Sequence, residues 1–235
     1  TQAFILTRDG AGAPFTIYGQ ILDLTTFVLG AAVALAIDCA TVAGFAGWDA
    51  CRIGSTIVIA YNRTGNLLAL ESFDVALAPV ASGSVVDANG CSMVSIDGEV
   101  GESLYVVYCQ ATATPRRVRA AINDPATLAA VVAAFNVEVP PAGSSPTHLG
   151  VCRYDATTCV VLYRMVEGTN VSRMSTARVT SAGAIFPASE RGTWWTIPNS
   201  RPFMMGGKCY AMAISIATGP GVTSFATNSV LLEVP

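Results

Sequence analysis

Tyr105-Val106-Val107-Tyr108, a polar turn over 110–115, the run Arg116-Arg117-Val118-Arg119-Ala120-Ala121-Ile122 and an apolar run over 131–139 follow one another in the middle of the chain. The first run is apolar at every position, as in a strand covered on both faces. The second alternates polar and apolar residues, the period-two signature of a strand with one face covered. Gln, Thr and Pro in the intervening turn suit a hairpin. Between the second and third runs, Asn123-Asp124-Pro125 followed by Ala126-Thr127-Leu128-Ala129-Ala130 imitates a capped helix start. Val131 and Val132 favour a strand there, and so does the comparison with the rest of the chain.

Working outward, the same grammar recurs. Apolar runs matching the first are Phe4-Ile5-Leu6-Thr7, Ile57-Val58-Ile59-Ala60-Tyr61, Val160-Val161-Leu162-Tyr163 and Tyr210-Ala211-Met212-Ala213-Ile214. Three of the five runs end in Tyr, at Tyr61, Tyr108 and Tyr163, with spacings of 47 and 55 residues. Each run is followed by a turn rich in Gly, Asn or Pro, such as Asn62-Arg63-Thr64-Gly65-Asn66. Ahead of each Tyr-ending run stands a further short element, at 50–53, 92–96 and 148–154, with Phe203-Met204-Met205 in that place before the last copy. Four short strands in about fifty residues, repeated, is the pattern of a β-propeller blade. The expected fold is therefore all-β, a propeller of about five four-stranded blades in one domain, with repeats near 1–47, 48–90, 91–145, 146–200 and 201–235. The first copy lacks its innermost strand and the last ends soon after its third. The chain reads either as a five-bladed ring closed by its termini or as part of a larger ring.

Composition agrees with a large core. Of 235 residues, 52% are hydrophobic and 12% charged, the reverse of a disordered chain. Net charge is −3 and the one basic run is Arg116-Arg117-Val118-Arg119, read as the solvated face of a strand, so no nucleic-acid partner is expected. Seven cysteines, an odd number with long spacings and no CxxC pair, give no metal site and point to free, buried thiols. The chain opens at Thr1 with no basic segment leading into an apolar one, so no retained signal peptide is expected. The apolar stretch 24–48 is interrupted by Gly30, Asp38, Gly44 and Gly47, so no membrane span is expected.

The order Val160-Val161-Leu162-Tyr163, polar turn, Ser175-Thr176-Ala177-Arg178-Val179-Thr180-Ser181-Ala182-Gly183, together with the ending Ala133-Ala134-Phe135-Asn136, resembles propeller repeats of bacteriophage tail and virion proteins. The resemblance covers nearly the whole chain but carries no catalytic residue. It implies a structural propeller in a virion assembled in the bacterial cytoplasm, with other virion subunits or copies of itself as partners.

Against that stands a sialidase-like alternative, which needs Arg residues from several blades to grip a sugar carboxylate. Arg52 and Arg153 each follow a Cys on an inner strand, and Ser92 after Cys91 breaks the set between them. Trp48, Trp194 and Trp195 fall in connections between blades, where they either fill the packing or stack on sugar rings. His148, the single His, has no nucleophile at a recognisable spacing. Asn62-Arg63-Thr64 and Asn170-Val171-Ser172 match the glycosylation pattern. No catalytic constellation stands out and no cofactor is expected. The expectation is thus a non-enzymatic structural and interaction propeller. Its alternative is a glycan-binding or glycan-cleaving one, with Arg52, Arg153, Trp48, Trp194 and Trp195 as ligand contacts. The apolar outer runs 28–37 and 129–139 are expected to be covered.

Overall fold

The computed structural model describes residues 2–9, 14–40, 47–63, 67–140, 143–167, 171–191, 195–196, 202–216 and 227–234. They form antiparallel sheets in succession. Blade 1 is β1 (Gln2–Arg8), β2 (Phe15–Asp23) and β3 (Val33–Cys39). Blade 2 is β4 (Trp48–Ile53), β5 (Thr56–Arg63), β6 (Leu67–Phe73) and β7 (Pro79–Val86). Blade 3 is β8 (Cys91–Gly98), β9 (Leu104–Gln110), β10 (Val118–Asn123) and β11 (Ala130–Glu138). Blade 4 is β12 (Ser144–Asp155), β13 (Thr158–Glu167), β14 (Val171–Thr180) and β15 (Ile185–Arg191). In blade 5, β16 (Trp195–Thr196), β17 (Phe203–Met205) and β19 (Thr227–Val234) all pair with β18 (Lys208–Ile216). A single bridge, Cys39 to Arg63, links the first two sheets. The fold is a β-propeller, as the repeats predict, and 124–129 is a turn leading into β11 rather than a helix.

The apolar runs sit where the blades meet. Ile53, Val58, Leu68, Leu70, Ile96, Leu104, Val106 and Tyr108 form one core between blades 2 and 3. Met93, Val107, Ile122, Val151, Val161, Tyr163 and Val179 form the next, between blades 3 and 4. Each second strand feeds both of its neighbours, which is why β9 is buried at all seven positions and shows no alternation. Tyr61, Tyr108 and Tyr163 lie on β5, β9 and β13, each four residues past the site facing the inner strand's Arg52, Gly98 or Arg153. All three rings are buried and each hydroxyl donates to a carboxylate: Glu71 at 2.7 Å, Asp87 at 3.0 Å and Glu138 at 3.1 Å.

The turns between third and fourth strands also repeat. Asp23, Asp74 and Asp124 each accept two backbone N–H bonds from their own turns, and a non-glycine residue with positive φ follows: Phe27 at 55°, Leu77 at 65° and Leu128 at 59°. In blade 4 Thr180 takes the Asp role and Gly183 the positive φ.

Several expectations change at this level. Trp48 is not in a connection; it opens β4, pairs with Tyr61 and packs against the core of blades 1 and 2. Arg119 is not on a solvated face: its guanidinium meets the buried Asp87 at 2.6 Å and donates to the Ala134 carbonyl. Asn62 is buried on β5 and donates to the Cys91 carbonyl at 2.6 Å, so that glycosylation pattern is inaccessible. Asn170 lies outside the described residues. All seven cysteines are free and buried. The outer runs are only partly covered, and residues 28–34 are exposed throughout. Val132 and Phe135 pack into the core of blades 3 and 4, while Val131 and Val28 are 64% and 62% exposed. Among the described residues no helix is long and apolar enough to cross a membrane.

Candidate functional site at the inner-strand ends

The inner strands β4, β8 and β12 pair on one side only, with β5, β9 and β13. Side chains connect their other edges. Asp49 on β4 accepts the Ile96 N–H of β8 at 2.9 Å. Ser95 on β8 accepts the Val151 N–H of β12 at 3.1 Å, and Asp97 accepts the Arg153 N–H at 2.7 Å. Asp49 and Ser95 hold the same place, each facing the residue just before the repeated Tyr, and their amide donors are equivalent too.

This register relocates the arginines. Arg52 faces Ile57, Gly98 faces Leu104 and Arg153 faces Cys159, so the break in the arginine set is Gly98. Asp97, not Cys91, stands where Cys51 and Cys152 stand in their blades; the Cys91 position is six residues away. A Cβ on Gly98 would lie 2.8 Å from the Ser103 carbonyl oxygen, so this inner strand has no room for a side chain there. Arg52 and Arg153 therefore sit two blades apart. Arg52 is exposed, with its Nε donating to the Gly54 carbonyl at 2.9 Å. Arg153 is engaged by Glu102 through both Nε and Nη2, the latter at 2.6 Å. The structure does not bring the two together into a carboxylate grip.

What gathers instead is carboxylate. Asp97, Glu99, Glu102 and Asp155 lie around Arg153 at the meeting of blades 3 and 4. The hydrogen bond from Arg153 holds Glu102 below the usual carboxylate range and raises Arg153 in turn. Asp155 is held low by the Thr157 backbone N–H, which donates to it at 2.8 Å. Both Asp97 oxygens take backbone N–H bonds, from Gly98 and Arg153. Glu99 and Asp155 are the exposed carboxyls of this group. Beneath them the buried Tyr105 hydroxyl has no hydrogen-bond partner, and burial pushes its ionisation up.

On the same side a groove of about 230 Å³ opens between blades 2 and 3. Ile53, Ser55, Thr56, Ser72, Val80 and Val100 line it, with Gly101, Pro125 and Ala126 at its edge. None of these residues is charged. Val100 and Gly101 belong to the turn that carries Glu99 and Glu102, so groove and carboxylates share one rim. Sequence reading missed both, because the groove is assembled from four separate turns and strands, and the carboxylates come from two blades. Acidic residues stand at the ends of β8 and β12, Glu99 and Asp155, but Gly54-Ser55 follows β4, so no repeated signal marked the cluster.

The other expected contacts lie elsewhere. Trp194 is outside the described residues, and Trp195 is placed only as a backbone position on β16. His148 lies opposite Arg164 across β12 and β13, and burial followed by the Arg164 charge holds its imidazole below the usual range. Among the described residues no three His, Cys, Asp or Glu side chains gather as metal ligands would.

No family model matches the sequence, and no curated protein matches it. Solved structures do match the fold. An endo-arabinase from Bacteroides thetaiotaomicron aligns with a TM-score of 0.54 at 10% identity, over all of this chain and 89% of that one. A lectin, SapL1 in complex with alpha methyl fucoside, aligns at 0.52 and 12% identity, over 98% of this chain and 75% of the lectin. The Bacteroides ovatus xyloglucan protein GH43B aligns at 0.51 and 14% identity; all of this chain covers 50% of it, so the chain spans half that protein's length. At these identities the likeness establishes the propeller fold. It carries no link to phage tails. The expectation of a non-enzymatic virion component is corrected on this finding, since the matched propellers are named as carbohydrate-cleaving or carbohydrate-binding proteins.

Proposed function

We propose that this chain is a carbohydrate-active propeller that cleaves glycans at the rim shared by blades 2, 3 and 4. One observation carries the reading: an uncharged groove and two solvent-facing carboxyls, Glu99 and Asp155, occupy the same ends of adjacent blades. The names of the matched propellers support it. Glycoside hydrolysis needs two carboxyl groups on either side of the bond, one to donate a proton and one kept ionised as base or nucleophile. Asp155, held low by its turn, suits the ionised role. Glu99, across the Arg153–Glu102 pair, suits the donor role. The sialidase-like form of the reading is not adopted, because Arg153 is occupied by Glu102 and Arg52 stands apart.

The test is release of reducing sugar from a panel of arabinans, xylans, xyloglucan and hexose polymers, with binding followed by calorimetry. Turnover should fall ~10²-fold or more in Glu99→Gln and in Asp155→Asn, with saccharide binding retained. Binding without turnover in the unmodified protein would replace cleavage by recognition. Absence of both across the panel would overturn the proposal.

A further inference from the structure

Two thiols meet where blade 4 packs on blade 5. We propose that Cys152 and Cys209 are an oxidation site, at which a peroxide is reduced and a single disulfide forms, clasping blade 5 to blade 4. Strand alternation makes the pair. Successive residues of β12 point to opposite faces of the blade 4 sheet. Val151 enters the core shared with blade 3, so Cys152 faces blade 5. Its cross-strand partner Val160 packs with Leu162 against Cys209 on that same face. β12 touches β18, and the two thiols are within hydrogen-bonding reach of each other.

The other five cysteines are kept from such a meeting. Cys159 lies on the opposite face of the blade 4 sheet, in the core with blade 3. Cys109 shares that core but sits near the end of β9, whereas Cys159 is near the start of β13. Cys51 and Cys91 share the core of blades 2 and 3, six residues apart in the register of the inner strands. Cys39 belongs to the core of blades 1 and 2. Cys152 and Cys209 therefore share both a face and a position along their strands.

The two thiols are unequal. The bond from Cys152 and the nearby Arg178 charge hold Cys209 below the ordinary thiol value, while the same bond, followed by burial, raises Cys152. Arg178 is kept in place over the Tyr154 ring, 4.4 Å from its centroid, beside the same cluster. The thiolate is the nucleophile in this chemistry, so Cys209 attacks and Cys152 resolves. The Cys209 sulfur takes one oxygen as the peroxide O–O bond breaks, hydroxide leaves, and a sulfenic acid remains. The Cys152 sulfur gives up its proton, bonds to the Cys209 sulfur and displaces the hydroxyl as water. Two thiols and one hydrogen peroxide become one disulfide and two waters.

Both thiols are buried, so a peroxide reaches them through their cover. That cover is slight on the blade 5 side. β17 has three residues, of which Phe203 and Met205 are exposed, and Met204 lies across from Cys209. The hairpin tip, Gly206-Gly207, takes positive φ at both residues. So short a strand opens locally at far lower cost than the ten-residue β13 in blade 4.

The experiment treats the reduced full chain with a few equivalents of hydrogen peroxide, alkylates it under denaturing conditions, and reads intact mass and a peptide map. A loss of two hydrogens, alkylation at the other five cysteines and a Cys152–Cys209 cross-linked peptide are expected, all reversed by dithiothreitol. The oxidised protein should melt roughly 5–10 °C higher than the reduced one. Cys152→Ser should stop at a sulfenic acid on Cys209, captured by dimedone. Cys209→Ser should form no disulfide and take no dimedone. Seven alkylated cysteines after peroxide, a disulfide joining any other pair, or an unchanged melting transition after oxidation would overturn the inference. So would dimedone on Cys152 in the Cys209→Ser variant.

Discussion

At the residue scale, the groups that look most like chemistry are mostly committed to holding the blades. Asp87 illustrates this. Burial pushes its carboxyl up, but bonds from the Asn89 N–H, Gln110, Arg119 and Tyr108 outweigh that and hold it below the ordinary range. His148 behaves in the opposite sense, because its folded form resists protonation. An imidazole lowered on folding binds fewer protons than in the unfolded chain, so stability is complete above the ordinary histidine value and declines as pH falls below about 6.5. The carboxyls held low, Asp87, Glu102 and Asp155, act only below about pH 4 and leave that window clear. Melting temperature should therefore drop between pH 7 and 5 in the native protein. His148→Gln should flatten the profile, and an unchanged slope in that variant would show that the imidazole is not responsible. Composition made the single His conspicuous, but its pairing with Arg164 depends on a bulge between Pro146 and His148 that no residue count reveals.

At the element scale, strands were far more legible than register. Alternation and apolar runs identify β5, β9, β10 and β13 because each is long enough to show a period. The repeated Tyr then fixes equivalence between second strands. Inner strands mix polar and apolar residues without a clear period, as Ser92, Ser95 and Asp97 do in β8, so Cys91 presents itself as the partner of Cys51 and Cys152 while β8 actually places Asp97 there. Cysteine identity misled, and acid identity on these strands would have misled too, since Asp49 is matched by Ser95 and Asp97 by Cys51. The Asp turns at 23, 74 and 124, spaced 51 and 50 residues apart, state the period more faithfully than the tyrosines do. One of these turns makes a close contact with an outer strand: the Leu128 backbone lies against Gly83 of β7, where a Cβ would collide with its carbonyl oxygen. Backbone cannot yield as a side-chain tip does, so Gly83→Ala should cost about 1–3 kcal/mol. Chemical denaturation reads this directly, and a neutral result would mean that the outer strands of blades 2 and 3 separate freely.

At the scale of the whole molecule, an apolar composition without disulfides becomes intelligible as sheet faces stacked on one another, each too small to close a core alone. Burial raises the Cys91 thiol to about 12 and pushes Cys109 and Cys159 well above the ordinary thiol range. Cys209 differs: a hydrogen bond from Cys152 and the nearby Arg178 charge lower it, while the same bond, followed by burial, raises Cys152. Alkylation of the native protein should therefore be slow and begin at Cys209, with all seven thiols modified after denaturation. Intact mass after timed quenching measures both, and a native mass carrying three disulfides would contradict it. What the sequence withheld at this scale is the rim, since Glu99 and Asp155 are 56 residues apart and come to the same Arg153–Glu102 pair only because β8 and β12 are neighbours. The bonds from Asp49, Ser95 and Asp97 to the next inner strand also turn each blade junction into something that can be watched singly. The amides of Ile96, Val151 and Arg153 lie on strand edges that make no backbone pairing, where deuterium would ordinarily enter within seconds. Held as they are, Ile96 should exchange only when blades 2 and 3 part, and Val151 and Arg153 only when blades 3 and 4 part. Three slow protons thus report two separate openings, and Ser95→Ala should release Val151 to solvent deuterium while Ile96 keeps its protection.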